Sequence, residues 1–212
     1  MLKINEVFYS IQGESTLAGW PTVFVRLTGC HLRCTYCDTT YAYHEGQLQS
    51  LEDLLALVFS YKCQHVCITG GEPLLQSEVY PLMEKLCNAG YVVSLETSGG
   101  KSGLKVDPRV RIILDVKTPD SGEQDSFVFE NLQLSPAHTE MKFVIGSERD
   151  FEWSENFCRQ HDLFGKFVVL YSPSFGKADP EWLAKKILDG QSLARLQLQI
   201  HKYIWSSNTR GV

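Results

Sequence analysis

The sequence predicts an α/β protein built on a mostly parallel sheet that curves without closing, a partial, open (β/α)6-type barrel. Three observations predict it. Short runs rich in Val, Ile and Phe recur along the chain, helix-like segments with capping residues fall between most of them, and no internal repeat or Pro/Gly/Ser linker divides the 212 residues. Parallel neighbours need long crossovers, usually helical, so this alternation selects a parallel sheet within a single domain, 1–212.

Strands are predicted over 22–28, 65–69, 91–96, 111–117, 140–146, 167–171 and 195–201, where β-branched and aromatic residues favour strand over helix. Ser50 opens a helix running to about Tyr61, with Asp53 placed for a capping-box-like contact. A second helix spans about Ser77 to Asn88, with Pro81 near its first turn and Gly90 as its stop. Ser147 and Asp150 repeat the capping pattern before 148–161, and Asp179-Pro180 starts a last helix that Gly190 ends. Between the third and fourth strands, 97–110 is too short and too broken by Gly and Pro for a helix. About six βα units remain, fewer than the eight that close a full barrel. In such folds ligands gather beyond the carboxyl ends of the strands.

Composition narrows the function. A 43% hydrophobic, 21% charged chain is ordinary for a globular protein. Its 20 Lys+Arg against 25 Asp+Glu, a net charge of −5, argue against broad electrostatic capture of nucleic acid or an anionic membrane. No apolar run approaches the ~20 residues of a membrane span, and Met1 to Glu6 lacks the long apolar run of a secretory signal. A cytoplasmic protein is expected. Seven cysteines, at 30, 34, 37, 63, 67, 87 and 158, are an odd number, and in a reducing compartment clustered ones read as ligands.

Three of them stand together directly after the first predicted strand: Gly29-Cys30-His31-Leu32-Arg33-Cys34-Thr35-Tyr36-Cys37-Asp38-Thr39. A short loop can wrap C-x3-C-x2-C around one centre, and thiolates suit both zinc and iron–sulfur clusters. Structural zinc needs a fourth ligand, and His31, His44 and Asp38 offer none at a compelling spacing. Three thiolates on a four-iron cubane instead leave one iron open. Cys63, Cys67, Cys87 and Cys158 sit in or beside core elements and read as structural thiols.

With Tyr36 before the last cysteine, C-x3-C-x2-C resembles the signature of radical S-adenosylmethionine (SAM) enzymes, and Thr69-Gly70-Gly71-Glu72-Pro73 resembles their GGEP motif. Across nearly its whole length, in INEVFYSIQGES, FVRLTGCHLRCTYCDTT, ITGGEP, LETSGG, LDVKTP and LQIHKYIW, the chain is similar to the 7-carboxy-7-deazaguanine synthase family. That resemblance implies a trimmed radical SAM barrel, one 4Fe-4S cluster, SAM, Mg2+ and a homodimer fed by an external one-electron donor such as a flavodoxin. It implies a carbon–nitrogen lyase that contracts 6-carboxy-5,6,7,8-tetrahydropterin to 7-carboxy-7-deazaguanine, losing ammonia, on the way to queuosine-type 7-deazapurines.

By the same resemblance Cys30, Cys34 and Cys37 carry the cluster. Tyr36, Cys37, Asp38, Glu72, Gly99, Ser135, Pro136, Ala137, Ser172, Pro173, Ser174 and Phe175 fall on SAM-contacting segments. Ala137 replaces a basic residue frequent there, and Ser172 stands where Gln is expected. Ile11, Gln12, Gly13, Arg26 and Thr97 correspond to substrate contacts, Arg26 with a planar fork suited to a carboxylate, and Thr39 would give its hydroxyl to Mg2+. Asp115 and Lys117 face the same mouth, as functional groups or as an ion pair tying strand ends together. Two rivals are an activase that makes a glycyl radical on a partner protein and a non-catalytic iron–sulfur or zinc module.

Overall fold

The computed structural model describes residues 1–206 and 209–212. Its strands are β1 (Leu2–Ile11), β2 (Pro21–Leu27), β3 (Gln47–Gln49), β4 (His65–Gly70), β5 (Val92–Thr97), β6 (Arg111–Val116), β7 (Thr139–Ile145), β8 (Val168–Pro173) and β9 (Arg195–Leu196). They form one open sheet in the order β3-β1-β2-β4-β5-β6-β7-β8-β9. From β2 to β9 every neighbour is parallel, while β1 runs antiparallel to both β2 and β3. The helices are α1 (Leu51–Ser60), α2 (Val79–Asn88), α3 (Glu148–Gln160), α4 (Pro180–Asp189) and the short α5 (His201–Ile204). No helix among the described residues is long and apolar enough to cross a membrane.

Strand periodicity separates core from cavity, because successive side chains point to opposite faces. Val23, Val25 and Leu27 of β2, Ile112, Leu114 and Val116 of β6, and Met141, Phe143 and Ile145 of β7 enter the core beneath the helices. There they meet Leu54 and Val58 of α1, Leu82, Met83 and Leu86 of α2, Phe151 and Phe157 of α3, and Leu183 of α4. The alternate residues Phe24, Arg26, Ile113, Asp115, Lys142 and Val144 line the inner face. Only that face carries charge.

The predicted caps form. Ser50 Oγ accepts from Asp53 N at 3.0 Å, Ser147 Oγ from Asp150 N at 3.4 Å, and Asp179 from Glu181 N at 2.9 Å with Pro180 in the first turn, each worth about 1 kcal/mol. Past α2, Gly90 turns the chain at φ +85°. Residues 98–110 hold no helix.

Two expectations need correction. The first eleven residues, read only as a motif, form β1, which pairs antiparallel with β2 from Ile4 to Ile11. The strand expected over 195–201 shrinks to Arg195–Leu196: after a last backbone bond from Gln197 N to Tyr171 O at 2.8 Å the chain turns to the segment after β1, where Ile200 N donates to Gly13 O at 3.1 Å, Gln197 Nε2 to Ser15 O at 3.0 Å and Gln199 Nε2 to Glu14 Oε1 at 2.7 Å.

Candidate active site

A cavity of about 760 Å3 opens on the inner face, with the cysteine loop at its mouth. Cys30, Cys34 and Cys37 all line it. Their loop is pinned on both sides: Gly29 N donates to Ala42 O at 2.8 Å, Thr35 N to Ser121 O at 3.0 Å, and Arg33 N to Glu123 Oε1 at 2.6 Å. Glu72 N donates to Gly29 O at 2.7 Å, fastening the GGEP turn to the same loop. A Cβ on Gly71 would strike Gly29 O and the Cys30 Cβ, so only glycine permits that approach. Among the described residues no three His, Cys, Asp or Glu side chains converge as a single ion requires. Three free thiols on one loop at the cavity rim are the donor set that an iron–sulfur cluster takes. Burial pushes the Cys30 thiol up and the Cys34 thiol to about 11, against the pull of the Lys117 ammonium.

Glu72 points away from the cavity and is wholly buried. Its carboxylate accepts from Thr97 Oγ1 at 2.9 Å, Ser98 N at 2.8 Å, Ser98 Oγ at 2.6 Å and Leu74 N at 3.0 Å, binding the GGEP turn to the turn after β5.

Charged groups follow around the wall. Arg26 Nε donates to Glu6 Oε1 at 2.7 Å, and its guanidinium lies 5.7 Å from the Phe8 ring and 6.0 Å from the Tyr41 ring. Burial works against its charge, but Tyr41 and Glu6 outweigh it and raise its pKa. Lys142 pairs with Glu14 and, at 3.4 Å, with Asp115, which also holds Lys117 at 3.2 Å. Burial opposes the Lys142 charge too, and those two carboxylates overcome it. The carboxyls divide. Glu14 is held below its usual range because Lys142 outweighs burial, whereas burial and the nearby Glu14 push Glu96 up. Asp38 is drawn down to about 2: burial acts the other way, but Lys202 Nζ at 2.5 Å and Thr39 Oγ1 at 2.9 Å prevail.

Of the residues expected in the site, the cavity gathers Ile11, Gln12, Gly13, Arg26, the three cysteines, Tyr36, Asp38, Thr39, Thr97, Ser174 and Phe175. Others stand elsewhere. Gly99 lies below the wall, its carbonyl accepting from Val128 N and Asn131 Nδ2 at 3.0 Å each. Ser172 and Pro173 end β8 as buried residues, with Ser172 Oγ unpartnered among the described residues. Ser135, Pro136 and Ala137 precede β7 at its amino end, and the structure does not bring them to the cavity. The turn at Pro119–Ser121, after β6, is the proline segment beside the cysteine loop.

Sequence reasoning passed over Glu14, Lys142 and Tyr41, and gave no role to His201-Lys202 or to Thr209 through Val212; all of them line the cavity. The signal for Lys142 was present: a lysine alternating with core residues in EMKFVIG occupies the inward face of a strand. His201 also lines the cavity, where a Cβ on Gly13 would overlap its imidazole Nδ1. The variant Gly13→Ala, whose Cβ would overlap the imidazole and come within 2.9 Å of the His201 Cβ, is therefore expected to displace His201, lowering the thermal midpoint and weakening substrate binding about 10-fold or more, measured as unfolding temperature and KM.

Comparison with known proteins agrees with this geometry. The family model for the radical SAM superfamily matches residues 24–120, from β2 through the turn after β6. A 7-carboxy-7-deazaguanine synthase of Chlorobaculum tepidum is 44% identical over all of this chain and 97% of its own. One of Koribacter versatilis is 43% identical over the whole of both. The crystal structure of QueE from Escherichia coli superposes with a TM-score of 0.77 at 26% identity, covering 93% of each chain. The chain belongs to the 7-carboxy-7-deazaguanine synthase family of radical SAM enzymes.

Proposed function

We propose that this chain converts 6-carboxy-5,6,7,8-tetrahydropterin to 7-carboxy-7-deazaguanine with loss of ammonia, in 7-deazapurine biosynthesis. A 4Fe-4S cluster held by Cys30, Cys34 and Cys37, with SAM beside it, would supply radical hydrogen-atom transfer. The protein's work is to bind, aim and seclude.

The observation that carries the substrate assignment is Arg26. Glu6 holds its Nε, the Phe8 and Tyr41 rings lie within 6.0 Å of its guanidinium carbon, and Nη1 and Nη2 have no protein partner among the described residues. That leaves the edge of a planar fork for a planar carboxylate, a bidentate match a lysine could not make. The polar rim of a pterin offers both donors and acceptors, and Gln12, Glu96 and Lys142 line the cavity to answer them. Phe8, Phe24, Tyr41 and Phe175 supply apolar wall that excludes water. Thr97 and Ile11 are read as substrate wall, and Tyr36, Asp38, Ser174 and Phe175, which line the same cavity, as SAM contacts.

Mg2+ takes hard oxygen ligands and keeps much of its water. Thr39, with its hydroxyl on Asp38, gives such an oxygen beside the cluster loop, and the substrate carboxylate would give another. An external one-electron donor of the flavodoxin kind and a homodimeric state complete the reading, both on family resemblance. All seven cysteines are free, as suits a reducing cytoplasm.

The test is anaerobic turnover of the reconstituted protein with SAM, reductant, Mg2+ and 6-carboxytetrahydropterin, followed by mass spectrometry. Formation of 7-carboxy-7-deazaguanine is expected. Release of 5′-deoxyadenosine without that product would keep the radical machinery and reject the substrate. Neither compound from an iron-loaded protein would reject the enzyme reading.

A further inference from the structure

The open barrel needs a floor, and the segment after β1 provides one. Because β1 runs antiparallel to β2, its end at Ile11 lies at the amino ends of the parallel strands. The chain then passes beneath the cavity through residues 12–20, with Gln12, Gly13 and Glu14 facing up into it. Its path includes Ser15, buried at φ +64°, a left-handed conformation that a non-glycine residue keeps only when its surroundings enforce it.

Those surroundings are two side-chain rungs from β7. Lys142 pairs with Glu14, and two residues back along the strand Glu140 accepts from both Thr16 N, at 3.0 Å, and Thr16 Oγ1. Residues 14 and 16 thus meet 142 and 140 in antiparallel order, a side-chain ladder in place of a backbone one. The other flank is held by Gln197 Nε2 on Ser15 O at 3.0 Å and Ile200 N on Gly13 O at 3.1 Å. Glu140 is buried and lines no part of the cavity. Both of its oxygens are committed to Thr16.

We propose that Glu140 is a positioning residue for the reaction: through Thr16 it sets the height and register of the floor, and so the depth at which the substrate sits below the radical. This rests on the functional reading above. The physical ground is that hydrogen transfer needs reacting atoms about 3–3.5 Å apart, so a floor that sags by an ångström loses much of the rate. A carboxylate suits the role because it accepts two bonds at once from a backbone N–H and its own side-chain hydroxyl.

The experiment compares Glu140→Ala, Glu140→Gln and Thr16→Val with the wild type. Glu140→Ala is expected to lower kcat/KM for 6-carboxytetrahydropterin about 30- to 100-fold and to raise the 5′-deoxyadenosine released per product formed, since a misplaced substrate leaves the radical unspent. Glu140→Gln, which keeps one acceptor and the same shape, should restore most of both, and Thr16→Val should fall between. Hydrogen exchange of the substrate-free protein should show the amides of residues 13–18 opening faster in Glu140→Ala than in Glu140→Gln. A general loss of stability would lower the thermal midpoint without changing the uncoupling ratio. Wild-type KM and coupling in Glu140→Ala, or unchanged exchange over 13–18, would overturn the proposal. Should Glu140→Ala not fold, Thr16→Val with wild-type KM and coupling would do the same. If the wild type itself makes no 7-carboxy-7-deazaguanine, the functional reading fails, and exchange alone then decides whether Glu140 holds the floor.

Discussion

The Cys34→Ala protein is expected to keep its fold, lose most of its bound iron and sulfide, and release no detectable 5′-deoxyadenosine. Cys34 is only partly buried in a loop whose anchors are elsewhere: the bonds that hold it run from Gly29, Thr35 and Arg33 to residues outside it. Removing the sulfur therefore takes little from stability, within about 1 kcal/mol for a partly exposed site. It takes one of three thiolates from a cluster that has no fourth protein thiolate to spare, because Cys63, Cys67, Cys87 and Cys158 are absent from the cavity lining. Iron and sulfide analysis, the visible absorption of the reconstituted protein and chromatography of the SAM products measure the three parts of the expectation. An iron-loaded variant that still cleaved SAM would assign the cluster to other ligands. One zinc per chain in the wild type, with no SAM cleavage, would favour the non-catalytic metal module.

A larger cost to the fold is expected at Glu72. Replacing it by alanine leaves Thr97 Oγ1, Ser98 N, Ser98 Oγ and Leu74 N without their acceptor in a site closed to water. An unsatisfied buried donor costs about 1–3 kcal/mol, and with local relaxation the total should reach ~3–5 kcal/mol. For a domain of this size that corresponds to a fall of roughly 10 °C in the unfolding midpoint. Glu72→Gln keeps one oxygen but turns an amide N–H2 toward donors, so it should lie between wild type and alanine. Activity should fall further than stability. The same residue's backbone fastens the GGEP turn to Gly29, and loosening it shifts Cys30 against the rest of the rim. Scanning calorimetry beside iron content in the three proteins checks both halves. Alanine and wild type with equal midpoints would mean that the carboxylate pairs elsewhere in solution.

Much of this architecture was legible before any coordinates. β2, β4, β5, β6, β7 and β8 fall within a residue or two of the Val- and Ile-rich runs, because a strand buried on its helix-facing side must be apolar at alternate positions. Three helix starts were marked by side chains that do cap them, Ser50, Ser147 and Asp179. The cysteine spacing pointed to the cluster loop, since ligands close in sequence leave a local signature. β1 escaped because LKINEVFYSI lies near the margin of the sheet, flanked on one side only by the short β3, and buries just three of its ten residues, so its polar residues dilute the pattern. The Gln-x-Gln alternation at 197–199 imitates a strand for a different reason: both amides reach across the barrel to Glu14 and Ser15. The wall of the cavity was the least readable part. Glu14, Asp115 and Lys142 come from three separate stretches, and nothing local in any of them states that they meet.

The tie between Asp38 and Lys202 joins residues 164 positions apart, and that between Ser15 and Gln197 spans 182. Contacts so remote pay their loop-closure entropy late and slow the final ordering of a chain. During synthesis the cysteine loop leaves the ribosome long before the segment that carries Lys202. The thiols thus pass through a period in which the segment from Lys202 onward has not yet closed the cavity they line, open to oxygen and stray metal. Cluster insertion is then best timed after the last strand has docked, and a carrier delivering iron would meet a nearly finished barrel rather than a nascent loop.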